Sequence, residues 1–522
     1  MAQITSRGKT VLSVLVIGAA LAGVCRFRKT LAPPKHTVGA VDAGAFGAAT
    51  TPTGALPDAG SDNLGRPLRV AINTWPGYAP GIVENGNHLA ASADTPFARD
   101  HGIQVEMVLI DDFAQSRDAF RSGRVDVLWA TVDSFALEAP GMAALNPRAF
   151  LQFDFSHGGD AIAATAAIRT ASDLRGKRVA FAAGTPSQYL LLYVLTNAGL
   201  SMSDVTAVET ASAPEAATAF RTGSVDAAVS WDPDVTVAAH ARTGGHILVS
   251  TSQADHLIAD VFYVQQSFLD AHPGTLARFS AGWFDGVRAV NRDPSAGARA
   301  LASGLTGVSL EDATAMLPNA HLTGYYENRR FFGLDGQDTV TFESIFHNAS
   351  GIWRGIGALT QVAQAHTHYS PSVLANIAAV EAAVEPPPAT VAPRVYAVAG
   401  NNATPLLTRR LSLYFPTGSS TIDGNAQFAI EHIADLAASF EGSRMRVVGN
   451  TDNVGDPAAN QRLSLARAQA IVDYLVTHNH FDRSKFEVVG AGPSNPVEGC
   501  NELAEFPSSC LRRHGVSVLS SG

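Results

Sequence analysis

The chain has 522 residues, 46% of them hydrophobic and 16% charged, with a formal net charge of -10. That length is too great for a single hydrophobic core, and the composition belongs to a folded chain rather than a disordered one. A net acidic chain without a basic stretch excludes a broad nucleic-acid-binding surface.

At the N-terminus Arg7 and Lys9 precede an apolar run of about 16 residues, Thr10 to Cys25, which is short for a membrane span. Ala20-Leu21-Ala22 offers an A-x-A cleavage site, but Arg26, Arg28 and Lys29 follow the run directly and fit cleavage poorly. Residues 1–29 are therefore read as a signal or membrane segment, with a retained inner-membrane anchor favoured. Val24 before Cys25 disfavours a lipoprotein. Either reading puts the rest of the chain outside the cytoplasm, in the periplasm.

Residues 30–66 are rich in Ala, Gly, Pro, Thr and Asp without periodicity, and read as a flexible tether. Residues 371–403 contain the proline-rich stretch from Glu385 to Pro393, a second linker. Two folded blocks remain, 67–370 and 404–522.

The first block alternates strand and helix patterns. Strands are expected at Leu68–Ile72, Gln104–Ile110, Val125–Ala130, Arg178–Ala182, Val225–Ser230 and His246–Ser250. Helices are expected at Gln115–Arg121, Gln188–Ala198 and Pro214–Arg221. This alternation predicts an α/β fold of parallel sheets with covering helices. Two internal echoes divide it: AFRSGRVD (119–126) returns as AFRTGSVD (219–226), and Arg69-Val70-Ala71 returns as Arg178-Val179-Ala180. Two similar lobes are the simplest explanation, and two lobes hinged over a cleft make a ligand trap.

Ligands of open α/β sheets bind beyond the carboxyl ends of the strands. There the sequence places Trp75 and Tyr78, the hydroxyls of Thr131 and Ser134, Thr185 and Ser187 at a helix start, and Trp231 with Asp232. A helix start with free N–H groups suits an anion, and Asp232 is positioned to receive an ammonium. The same residues also have plain structural readings: helix caps for Thr185 and Ser187, core aromatics for Trp75 and Trp231, a turn for Asp232 before Pro233.

The stretches NTWPGY (73–78), AFRSGRVDVLWATVDS (119–134), DLRGKRVAFAAGTPSQYLLLYVLTNAGLSMSDV (173–205) and AFRTGSVDAAVSWDPD (219–234) resemble the type 2 periplasmic solute-binding proteins of the nitrate, sulfonate, taurine and thiamine-precursor ABC transporter group. The resemblance covers about 300 residues. It implies a two-lobed fold, a small organic anion, sulfonate or similar solute, an ABC permease as partner, and ligand contacts at Trp75, Tyr78, Ser134, Thr185, Ser187, Trp231 and Asp232. Asp154 to Asp160 falls where such proteins cross between lobes, which would add both aspartates to the cleft. Some relatives of this fold are enzymes that use a cysteine-rich motif, and this block has no cysteine. With no HExxH, G-x-S-x-G or P-loop, a non-enzyme without metal or cofactor is expected.

In the C-terminal block Leu411–Phe415, Met445–Val448 and Phe486–Val489 read as strands, with helices at Ala426–Ser439 and Gln461–Val476, a small βαβαβ sandwich. Asp452 just past a strand and Arg467 within the next helix can clamp a zwitterion, the acid taking its ammonium and the arginine its carboxylate. A plain Asp–Arg ion pair would use the same residues. The pattern T-D-x-x-G followed by N-x-x-L-S-x-x-R-A, at Thr451 to Gly455 and Asn460 to Ala468, closely resembles the OmpA-like peptidoglycan-binding domain. It implies that Asp452 and Arg467 bind the diaminopimelate of the stem peptide, helped by Thr451, Asn460 and the N–H of Val454, with Arg512 or Arg513 matching a late arginine pair. Asn450 and Pro416 depart from the family pattern, where many members have His and Asp. Cys500 and Cys510 are either free thiols or, in an exported chain, a loop-closing disulfide, and the second arrangement has parallels in the family.

Overall fold

The computed structural model describes residues 62, 64–336, 340–384, 405–413, 415–416, 418–440, 442–451, 455–493 and 513–519. Of the expected membrane segment and tether, residues 1–61 lie outside the described residues, as do Cys500 and Cys510; the expected tether of 30–66 ends early, since Asp62 is buried and accepts from the Thr275 N–H at 2.8 Å. Among the described residues no helix is long and apolar enough to cross a membrane.

The chain enters through β1 (Leu68–Ile72), which pairs in parallel with β2 (Val105–Leu109). β3 (Leu128–Thr131) and the long β4 (Pro147–Ser156) follow. The chain then crosses to a second sheet made of β5 (Asp160–Thr165), β6 (Arg178–Ala182), β7 (Thr206–Thr210), β8 (Ala227–Trp231) and β9 (Gly245–Ser250), in the order β7-β6-β8-β5-β9. It returns through β10 (Ala259–Gln265) to the first lobe, whose four-stranded sheet runs β11-β4-β10-β3, with β11 at Ala320–Leu322. The block is therefore two-lobed, with the chain passing between lobes at His157–Gly159 and again between β9 and β10. The Ser156 and Thr251 hydroxyls lie 2.8 Å apart and tie these two crossings together.

The expectation of parallel sheets needs correction. β1–β2, β6–β7 and β6–β8 are parallel, but β10 runs antiparallel to β3 and β4, and β5 antiparallel to β8 and β9. The two crossings cause this: each strand that enters or leaves a lobe does so against the grain of its neighbours. Both sheets are thus mixed.

The sequence echoes have a structural cause. In each lobe a helix, α1 (Phe113–Arg121) or, two helices on, the later Ala213–Arg221, ends at a glycine with positive φ, Gly123 at 70° or Gly223 at 83°. Glycine takes that conformation without steric cost. The aspartate that follows ties down the start of β1 in the first lobe and of β6 in the second. Asp126 accepts from the Arg69 N–H at 3.0 Å and Asp226 from the Arg178 N–H at 3.0 Å, and each also pairs with that arginine's side chain. The repeated Arg and Asp are one supporting device built twice.

Helix α2 (Val132–Glu138) begins at the Thr131 cap, helix α3 (Pro186–Asn197) opens with Pro186 in its first turn, and Ala213–Arg221 is α4. Ten residues of α3 are buried, so it is a core helix rather than a surface one. The first lobe's core is a stack of aromatics: Phe153 and Phe262 lie 4.5 Å apart, with Tyr78, Phe279 and Trp283 around them. Such ring pairs add about 0.5–1.5 kcal/mol each beyond their buried area. Packed chain continues past residue 370 to a helix at Ala378–Val384, where the buried Glu381 meets Arg288 at 2.8 Å.

The C-terminal block is a four-stranded sheet in the order β12-β15-β13-β14, built from β12 (Pro405–Ser412), β13 (Arg444–Gly449), β14 (Phe486–Gly490) and β15 (Arg513–Leu519). Two helices, Gly424–Ser439 and Pro457–His478, connect the strands. The expected βαβαβ order holds, with β15 as a further strand inserted between β12 and β13. The fully buried Lys485 donates to the carbonyls of Phe440 and Ser443 at 2.6 and 3.0 Å. The turn it holds meets the second crossing of the first block, where the Gly442 N–H donates to Asp255 at 3.2 Å.

Candidate functional site

The carboxyl ends of the strands converge on one cavity. Its wall is formed by Asn73, Trp75, Phe113, Trp129, Thr131 and Asp260 from the first lobe and by Asp160, Pro186 and Trp231 from the second. The space between them is narrow in this closed arrangement, about 20 Å³, room for little more than a water molecule. Of the residues expected here from sequence, Trp75, Thr131, Asp160 and Trp231 stand on the wall.

Trp75 is fixed from three sides. Its Nε1–H donates to Asp154 Oδ2 at 2.8 Å. A Cβ at Gly77 would lie 1.5 Å from that same oxygen, and a Cβ at Gly159 would lie 2.3 Å from the Trp75 ring. The bare backbones of NTWPGY and of the first crossing therefore let the indole and the carboxylate meet. Tyr78 sits behind the wall: it is fully buried against Phe153, and its hydroxyl donates to Asn73 Oδ1 at 2.7 Å. It orients Asn73 rather than lining the cavity.

Of the remaining expected residues, Ser134 and Thr185 serve local structure. The Ser134 hydroxyl donates to Asp133 at 3.3 Å, and its N–H is capped by Thr131. The Thr185 hydroxyl donates to the Ala182 carbonyl at 2.9 Å, turning the chain into α3. Ser187 is fully buried, and its hydroxyl has no hydrogen-bond partner. Asp232 is occupied: Thr236 donates to one oxygen at 2.5 Å and Asn319 to the other.

The wall is acidic and aromatic. None of its nine residues is basic. Arg117 lies against the faces of Phe113 and Trp129, 4.4 and 4.8 Å from the ring centroids, and is held by Glu138 at 2.9 Å. Burial pushes the Asp160 carboxyl up to about 7, with the charges of Asp154 and Asp232 adding to the effect. Burial likewise pushes Asp133 up to about 8. Asp154 and Asp260 are hydrogen-bonded to each other; burial raises both, so the pair holds a proton between them. Phe113, Trp129 and Asp260 were not expected from sequence. Trp129 stands within a quoted family stretch, and Asp260 lies on a strand that local periodicity does not show.

In the C-terminal block Asn460, Ser464 and Arg467 share one face of the helix Pro457–His478, packed onto the ends of β13 and β14. Glycines permit the approach, since a Cβ at Gly449 would lie 2.0 Å from the Ser464 carbonyl. Arg467 is 3% exposed; its Nε–H donates to the Ser419 carbonyl at 3.0 Å, and its guanidinium lies 5.2 Å from the Phe415 ring centroid. Thr451 lies beyond the end of β13, after Asn450, with a buried hydroxyl that has no partner. Asp452, Val454 and Arg512 lie outside the described residues. Arg513 opens β15 opposite Ser412. Pro416 is exposed beside the buried Phe415.

Two family descriptions match the sequence: "NMT1/THI5 like" over residues 99–296 and "OmpA family" over residues 414–508. The chain fuses an NMT1/THI5-like domain to an OmpA-family domain. The OmpA-family domain is 31% identical over 116 residues to outer membrane protein Omp38 of Acinetobacter baumannii, covering 22% of this chain and 31% of that protein. It is 34% identical over 88 residues to outer membrane porin F of Pseudomonas aeruginosa (17% and 25%), and 35% identical over 94 residues to outer membrane protein A of Shimwellia blattae (18% and 39%). The chain thus spans well under half the length of these relatives. Solved structures similar to the NMT1/THI5-like domain include the periplasmic aliphatic sulphonate binding protein SsuA of Escherichia coli, with TM-score 0.46 and 16% identity over 65% of this chain and 98% of that one. The desulfurization enzyme DSZB is another, with TM-score 0.44 and 17% identity over 60% and 99%.

Proposed function

We propose that this chain is a periplasmic solute-binding protein of a Gram-negative bacterium, fastened to the cell wall. The NMT1/THI5-like domain holds a small solute between its lobes for ABC-type import, and the OmpA-family domain clamps diaminopimelate between Asp452 and Arg467. One observation carries the first half: side chains from both lobes close on a single cavity at the strand ends, beside the two crossings. A solute there touches both lobes and favours the closed pair.

For the second half, a buried arginine on the helix face that packs against the exit of β13 supports the clamp. Thr451, Asn460, the N–H of Val454 and Arg513 complete it, and the Cys500–Cys510 disulfide closes the following loop. Asp452→Ala and Arg467→Ala should each abolish pull-down of the full-length protein with purified sacculi. Retention of both variants would sink the clamp. Deletion of the chain should slow uptake of its solute; unchanged uptake, with no permease recovered alongside the protein, would favour a wall-anchored sensing or structural role instead.

A further inference from the structure

The sequence resemblance leads to an anion, whereas the cavity wall carries two carboxylic acids, three tryptophans and no basic side chain. Asp160 is 3% exposed, lines the cavity, and its Oδ1 has no hydrogen-bond partner. A buried carboxylate oxygen without a donor is costly, and a nearby positive charge removes the cost. The faces of tryptophan rings attract cations, by about 2 kcal/mol or more where water is excluded. Trp75, Trp129 and Trp231 supply such rings from both lobes around the same space.

We infer that the cleft selects its solute by a positively charged nitrogen, an organic ammonium, seated among Trp75, Trp129 and Trp231 with its charge met by Asp160. This rests on the solute-trap reading of the same site and narrows it. It moves the ammonium partner from Asp232, whose oxygens are engaged by Thr236 and Asn319, to Asp160. Trp129 also has a buried Nε1–H without a partner, a donor for an oxygen on the same solute. A compact ammonium that carries a hydroxyl or carboxylate uses all of these groups at once. Simple sulfonates and carboxylates would meet Asp160 and Asp260 as repelling or proton-holding groups.

The test is calorimetric titration of the full-length protein at pH 8 with choline, glycine betaine, tetramethylammonium and methylammonium, set against methanesulfonate and acetate. At least one ammonium compound should bind, and the two anions should not. Asp160→Asn, nearly the same shape without the charge, should weaken the bound ammonium compound at least tenfold, the scale for loss of a desolvated charge partner. Its thermal transition should show that the variant folds. Binding of an anion and of no ammonium compound would overturn the cation assignment and leave the trap standing. Binding of neither class would overturn both. Unchanged ammonium affinity in Asp160→Asn would remove Asp160 from the site and with it the inference.

Discussion

Gly77→Ala is the sharpest structural test of how the cleft is built. Gly77 does not have a positive φ, so alanine meets no backbone strain there. The whole effect is steric: the new methyl would lie 1.5 Å from Asp154 Oδ2 and 2.9 Å from Trp75 Nε1. Neither atom can stay. Forced repacking of a filled interior costs about 1–3 kcal/mol, and loss of a buried hydrogen bond to a charged group about 1.5–3 kcal/mol. The sum is about 2.5–6 kcal/mol, a drop on the order of 5 °C or more in the unfolding transition of this block. Gly351 supplies the contrast. It is exposed in the helix Phe342–Gly355 with nothing near its missing Cβ, so Gly351→Ala should stabilise by about 0.5–1 kcal/mol. Scanning calorimetry of the two variants against wild type measures both. If Gly77→Ala melted within a degree of wild type, the close contact of Trp75, Asp154 and Gly77 would be wrong, and the cavity wall with it.

Other consequences can be checked alongside. The duplicated Arg–Asp device should be unequal. Asp126 is nearly buried and meets both Arg66 and Arg69, so Asp126→Ala should cost about 1–3 kcal/mol; Asp226 is partly exposed, and Asp226→Ala should cost less than about 1 kcal/mol, both read from thermal melts. The solute-free protein should lose stability between about pH 4 and pH 8. Asp160 and Asp133 keep their protons when folded up to about 7 and 8, while unfolded carboxyls release theirs near 3.9, so the folded state binds more protons across that window. Around Asp160 the charged or titrating groups are Asp154, Asp232, Asp260 and Asp133, with Arg117 held by Glu138 and His321 by Glu327. None of the acids in this set supplies a compensating cation. Affinity for an ammonium compound should rise over the same window as Asp160 ionises; a flat titration from pH 5 to 8 would contradict that. Lys485→Met should loosen the turn at 440–443 and lower the melting of the C-terminal block by about 1–3 kcal/mol through the two unpaired carbonyls, measured by circular dichroism.

Much of the architecture was legible because local patterns carried it. β1 and β6 are short buried runs with an arginine at one end, and both are found where expected. Helix α3 is bounded by Pro186 and by the turn before Gly199. The two lobes were visible only because the same Arg–Asp cap was built twice, leaving matched words a hundred residues apart. The strands that cross between lobes were hidden. β4 is buried along nearly its whole length, yet it carries Gln152, Asp154 and Ser156; β5 is mostly alanine; β10 begins beside an aspartate. Their polarity is satisfied by partners far away in sequence, which no local period records. Missing them concealed both the antiparallel pairing and Asp260.

The site was legible in part for the same reason. Trp75 and Trp231 follow strands that were seen. Asp232 and Thr185 occupy equivalent places, but their polar atoms are engaged by Thr236, Asn319 and the Ala182 carbonyl, contacts that only the fold creates. In the C-terminal block the helix-borne Asn460 and Arg467 were readable from their spacing, because positions seven apart share a helix face.

The claim that most depends on all of this is that a solute sits between Trp75 and Trp231. A thermal-shift series on the full-length protein, with ammonium compounds and sulfonates as the panel and Trp75→Ala and Trp231→Ala as controls, tests it most directly. The account predicts a rise in melting temperature for at least one compound in wild type, lost in both variants. A flat response across the panel, or a rise that survives both substitutions, would contradict it.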